Sequence, residues 1–320
     1  MEKNPFSVYD FLGYVFPGSI TLMIIRFIYF LHTHELLLSL YSCNLFVESL
    51  LRDFSWDDSL FFILSAYVLG HIVAYASSLT IEPYAVWRFG YPSKFMLRNN
   101  PEKEYLSVKD GMDDKKKKWV KRFKNIVKYL IFPIWTLDYW LGSKCHLNIY
   151  YVKDLDEKMV DNIVAKIDIL YKKLGLHNVL TDTEIKGDDW DYHRVVYHYV
   201  YEKHEAHRGK MDNYVALYGF MRALAFIMVL VFWVSLFVIL KECFNDYISY
   251  RQSFCWLLII TFFSFFFFMG FMKFYRRFTL ESLMCLVTDP DLQSVSSDNS
   301  SSHVNSSQSY YCCYINNSKK

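Results

Sequence analysis

No GxSxG, HExxH, P-loop, GxGxxG or zinc-ribbon spacing occurs in the 320 residues. That removes the usual sequence basis for hydrolase, metalloprotease and nucleotide chemistry, so the expectation is a protein that is not an enzyme, with no catalytic residue and no cofactor. Charge of one sign is not in excess either: the formal net charge is +2, which by itself names no partner. The seven cysteines, Cys43, Cys145, Cys243, Cys255, Cys285, Cys312 and Cys313, form no CxxC pair and no dense framework. They fit a chain whose bulk faces a reducing compartment, with a pairing of Cys43 and Cys243 on the opposite side as the one geometric option. The first apolar stretch lacks a basic leader and a small-residue cleavage site and carries Arg26, so it reads as a retained helix rather than a signal peptide.

What the chain does have is apolar surface. Hydrophobic residues make up 53% and aromatic residues 19% of the sequence, and they are gathered in blocks. Four blocks reach the roughly 20 residues needed to cross a hydrocarbon core of about 30 Å. These are residues 11–31, 59–80, 214–240 and 254–275. Lys and Arg concentrate between the second and third blocks and just after the fourth, at Lys273, Arg276 and Arg277. The segments 33–58 and 241–253 are poor in them. The positive-inside rule then places 83–213 and both termini in the cytosol of a cell with a multi-pass inner-membrane protein. The expected fold class is an all-α membrane protein, with four transmembrane helices and a mainly α-helical cytosolic domain between helices 2 and 3. Its parts are residues 1–82 with an outer segment, 83–213, 214–288 with a short closing helix, and a Ser/Asn-rich disordered tail at 289–320. The outer segment 33–58 has Leu and Phe at helical spacing, which suits an interfacial helix or one packed on the bundle.

Within 83–213 the stretch DDKKKKWVKRFKNIVKYLIF predicts a basic amphipathic helix. Trp119, Phe123, Ile126 and Leu130 share one face, while Lys115, Lys116, Lys117, Lys118, Lys121, Arg122, Lys124 and Lys128 crowd the rest. Anionic lipid headgroups and a phosphate-rich ligand both suit such a surface, and the apolar continuation LIFPIWTLDYWLG favours the bilayer. The pattern from Asp154 to Gly175 predicts a second amphipathic helix, with a stripe at Val160, Ile163, Val164, Ile167, Leu170 and Tyr171. From Asp188 the chain runs without proline into the third span, which predicts one helix continuing from cytosol to membrane. CHLNIYYV and HNVLTD are short strand candidates.

Polar groups inside apolar spans are costly and therefore informative. Arg26 and Arg222 either snorkel or pair, and for Arg222 the partners at compatible depth are Asp10 and Glu82. His71 sits near the middle of the second span beside Gly70, where it must bond across helices or line a polar path. His193, His198, His204 and His207 cluster with nearby acids, but the spacing lacks a metal motif and a polar helix face explains it, so no metal is expected.

The segments YDFLGYVFPG, AYVLGHIVAYASSLTIE with FGYPS, and YVALYGFMRALAF resemble a loose group of bacterial four-helix inner-membrane proteins. The likeness covers the four spans and the connector after the second. It implies that Pro17, Gly18, Gly70, His71, Glu82 and Arg222 fall on recurring motif positions. In layout the group is similar to membrane effectors of anti-phage systems, in which a cytosolic module senses infection and the helices then permeabilise the membrane. The resemblance therefore implies a signal-gated, self-associating effector that meets anionic headgroups and takes its cue from a cytosolic protein or small signal molecule. A small oligomeric channel or transporter and a membrane scaffold are the competing expectations.

Overall fold

The computed structural model describes residues 11–34, 40–52, 56–98, 105, 113–176, 191–244 and 250–292. Among them the backbone is helical almost throughout, with no strand. A π-helical turn at Phe11–Val15 leads into α1 (Phe16–Thr33), where Pro17 occupies the first turn, the one place in a helix that loses nothing to a missing amide. α2 (Leu40–Arg52) packs back on α1 through Phe46, whose ring lies 5.1 Å from Phe27 and 5.5 Å from Phe30. The pairing of Cys43 with Cys243 falls on side chains outside the described set, as does Asp10.

Three long helices form the frame: α3 (Trp56–Phe89, 34 residues), α9 (Glu205–Phe244, 40 residues) and α10 (Tyr250–Thr288, 39 residues). At 1.5 Å per residue they are about 50–60 Å long, well beyond the roughly 30 Å of a hydrocarbon core. Four helices, including α1, are long and apolar enough to cross a membrane. The surplus length of α3, α9 and α10 projects at one end, the insertion end, where the described elements of 83–213 pack on them.

The insertion comprises α4 (Pro92–Phe95), α5 (Asp114–Leu130), α6 (Phe132–Leu137) with a π-helical extension at Asp138–Lys144, α7 (Glu157–Lys173) and α8 (Tyr192–Lys203). On α7 Val160, Ile163, Ile167, Leu170 and Tyr171 of the expected stripe are buried, and Val164 at its edge is half-buried against the core. The helix ends in a Schellman motif: Leu176 donates its amide to Tyr171, Gly175 to Lys172, and Gly175 takes the positive φ of 72° that the motif needs. CHLNIYYV is a 3-10 turn at Leu147–Tyr150 rather than a strand, and HNVLTD lies outside the described residues. One continuous apolar core runs from Val73 on α3 through Ile163 and Ile167 on α7 to Phe268 on α10 and Leu292 beyond it.

The helix expected to run unbroken into the third span is divided. α8 stops at Lys203, His204 adopts φ −104° and ψ 72°, and α9 begins at Glu205. Arg208 reaches back to donate to the carbonyls of Tyr201 (2.5 Å) and Glu202 (2.7 Å), two acceptors that the break would otherwise leave unserved.

Candidate functional site

Within the apolar half of the bundle, α1 and α3 meet backbone to backbone. A Cβ on Gly18 would lie 1.7 Å from the Ala66 carbonyl oxygen, and one on Gly70 would lie 1.9 Å from that of Tyr14. Only glycine permits this approach, and small residues at such a crossing replace hydrophobic drive with close packing. The crossing positions Tyr14 over His71, their rings stacked at 3.8 Å, while Tyr67 meets the same imidazole edge-on at 4.6 Å. Ring contacts, not a hydrogen bond, hold His71 among the described residues, and it lies on the exposed side of α3.

Glu82 is the acid that pairs with Arg222, linking α3 to α9. Arg222 is mostly buried, and its Nε finds no acceptor among the described residues. Pro83 follows at once, removing one backbone donor and freeing the Leu79 carbonyl at the point where α3 leaves its apolar segment. Arg26 is exposed on α1 beside Tyr29, Phe30 and Thr33.

Two acids that sequence reasoning passed over organise the insertion end. Asp138, buried at the start of the π-helical segment, accepts from Tyr84 Oη (2.9 Å), Tyr151 Oη (2.8 Å) and Arg88 Nε (3.5 Å). Burial pushes its carboxyl up in spite of these donors. Gly142 leaves room for this pair: a Cβ there would stand 2.6 Å from Asp138 Oδ1 and 2.7 Å from Tyr151 Oη, and those side chains would have to shift. Asp138 is the one charge between Leu130 and Leu141, and an isolated acid in an apolar run is a signal that could have found it.

Asp289, just past α10, has a side chain with no exposed surface. It accepts from Lys203 Nζ (2.6 Å) and Tyr199 Oη (2.8 Å) on α8, and from the Asp291 amide (2.9 Å). Lys203 also binds Asp291 (2.6 Å), and Lys166 of α7 donates to the Asp289 carbonyl (3.2 Å). Burial acts to raise the Asp289 carboxyl, but the hydrogen bonds from Lys203 and Tyr199 outweigh it and hold the group below the usual carboxylate range. His204 Nε2 lies 3.7 Å away, beyond hydrogen-bond reach. No sequence signal marks Asp289, which stands where the polar tail begins.

The four histidines separate. His193 packs on Phe278 and bonds Ser282 (2.8 Å), and burial pushes its imidazole down to about 4. His198 is exposed. His207 bonds Glu281 (2.8 Å), and with Cys285 these form the one set of metal-ligand type among the described residues. Lys210 already sits on the Glu281 carboxylate at 2.7 Å, so the acid's charge is met without an ion.

On α5, Lys124 and Val127 face the protein. Lys124 donates to the Tyr105 carbonyl (3.0 Å) and lies over the Trp87 ring. Lys115, Lys116, Lys118, Lys121 and Arg122 are exposed, Lys117 is partly covered, and Lys128 lies 4.0 Å from the centroid of Trp135. The arrangement as a whole is a rigid crossing in the apolar half joined to a charge-held joint at the insertion end. Compared with protein-family models, curated proteins and solved structures, the chain matches none.

Proposed function

We propose that this chain is a signal-gated membrane effector, seated in a cell inner membrane with residues 83–213 and both termini in the cytosol. The observation that carries this reading is the Asp289 joint. It ties α7 and α8 to the residue just past α10, beside the break at His204, and in this reading a cue received by the insertion passes through it to the helix of the fourth span. A two-state joint made of a few ion pairs is the kind of element that a ligand or protein partner can bias. The cue is a cytosolic protein or small signal molecule. The response is a rearrangement of a self-associated bundle that disturbs the bilayer, as in anti-phage defence.

Induced expression of Asp289→Ala tests it. Freed from the joint, the chain is expected to depolarise cells and arrest growth without its cue. Equal membrane abundance with unchanged potential would argue against an effector.

A second reading, an oligomeric channel or transporter, draws on His71, which lies on the exposed side of α3 between two tyrosines. Proteoliposome flux abolished by His71→Ala would favour it over both the effector and a scaffold without flux.

A further inference from the structure

α5 and α6 form a helical hairpin whose position along the bundle is set by its tip. The Trp233 indole donates to the Leu130 carbonyl (2.6 Å), and the Phe132 ring lies 6.2 Å from Phe232. Both partners belong to α9, in the stretch between Arg222 and Lys241 that holds no charged residue. Phe232 is ten residues beyond Arg222, about 15 Å along the helix axis. That is about half the thickness of a hydrocarbon core of roughly 30 Å. The hairpin tip therefore lies level with the interior of the apolar stretch and not with its edge.

Its construction suits that depth. Non-helical backbone is tolerated in hydrocarbon only where protein buries it and its polar groups are met. Ile131, Pro133 and Ile134 at the turn are buried. The amide of Ile134, which would serve the Leu130 carbonyl in an unbroken helix, turns to Ile131 instead (3.0 Å), and Trp233 supplies the missing donor. Past Arg122 the outward face is apolar and uncovered: Ile126 is 62% exposed and Tyr129 68%, with Phe132, Tyr139 and Trp140 continuing it. Through the Phe132–Phe232 contact this face joins the exposed apolar side of α9 at Trp233, Val234 and Phe237. Charge is graded along α5, with Lys115 to Lys118, Lys121 and Arg122 in its first half. Near the tip, Lys128 is folded onto Trp135.

We infer that residues 119–140 are a re-entrant wedge in the leaflet on the insertion side. Its Ile126, Tyr129 and Phe132 face is covered by acyl chains, while Trp119, Arg122 and the leading lysines lie level with anionic headgroups. This goes beyond docking at the surface: the hairpin displaces lipid from one leaflet only. It rests on the four helices crossing the bilayer, and not on any effector activity.

The test places a spin label singly at Ile126→Cys, Tyr129→Cys, Lys117→Cys and Phe237→Cys in the full chain with its seven native cysteines changed to serine, in nanodiscs containing phosphatidylglycerol. Accessibility to oxygen and to a water-soluble nickel chelate is then read. The wedge predicts an oxygen-to-nickel ratio at 126 and 129 that matches 237 and exceeds 117 several-fold. A ratio at 126 and 129 equal to that at 117, with 237 still in lipid, overturns the wedge alone. Protection of 126 and 129 from both reagents means that protein covers the face, and also overturns it. Nickel access at 237 overturns the spanning arrangement itself. Should the labelled variants fail to fold, the unmodified chain is photo-crosslinked with a phosphatidylglycerol carrying a diazirine on its acyl chain. Adducts within 119–140 support the wedge, and adducts confined to the four spans refute it.

Discussion

Where α1 crosses α3 the two helices touch through backbone, with no room for a single methyl group at Gly18 or Gly70. Where α7 and α8 meet the end of α10, an apolar contact is capped by charge, with Lys203, Tyr199 and Lys166 converging on Asp289. The difference is the one expected of a bundle whose apolar half crosses a bilayer. In an apolar surround, close packing of small residues costs little and stray polar groups cost much. At a wet end, charges are inexpensive to place and easy to compete away. On the proposed reading, the first half holds its geometry and the second changes it.

The comparison is broken most forcefully at Asp138, a buried acid that three donors share. Asp138→Ala leaves Arg88, Tyr84 and Tyr151 without their acceptor, and a loss of about 3–5 kcal/mol is expected. Thermal unfolding in detergent measures it; an unchanged melting temperature would mean that this carboxylate does not tie the insertion to α3.

Gly18→Ala and Gly70→Ala are the corresponding blows to the apolar half, each expected to cost about 1–3 kcal/mol as the helices are forced apart. Gly219→Ala on α9, where a Cβ meets nothing within 4 Å, should instead stabilise by up to about 1 kcal/mol through helix propensity. Equal effects at the three glycines would contradict a crossing held by close approach.

Acid separates the halves without mutation. His193 is held at about 4 against its ordinary 6.5. Between those values the unfolded chain takes up a proton that the folded chain refuses, so stability falls as pH drops through that window. Asp289, held below the usual carboxylate range, adds stability above the unfolded value of 3.8 that is lost as pH falls further. Melting temperature should therefore decline from pH 6.5 downward, and His193→Gln should flatten the first part of the decline. The smallest effect belongs to replacing Lys115 to Lys118 with Gln, expected to stay within about 0.5 kcal/mol in detergent, since nothing in the fold leans on them.

The two halves were also unequally legible in the sequence. The apolar blocks announced all four long helices, and the α7 stripe with Gly175 announced both its buried face and its end. Glu82 was one of two acids at the right depth for Arg222, and spacing along a helix was enough to name it. The Asp138 and Asp289 centres were not read. Their partners lie far away in sequence, Tyr84 for one and Lys203 for the other, and no local period records such a convergence. The break at His204 was hidden for a related reason: the residues around it favour a helix, and the side chain that serves the broken turn, Arg208, comes from the next element. His71 was noticed for its cost in an apolar span, and among the described residues its contacts are the rings of Tyr14 and Tyr67.

The central claim is that the charge-held joint restrains the membrane-facing helices. It is tested most directly by membrane potential in cells expressing the full chain or Asp289→Ala at matched membrane abundance. The account predicts depolarisation by the variant while the parent chain leaves the potential intact. A variant as silent as its parent, correctly folded and inserted, would contradict it.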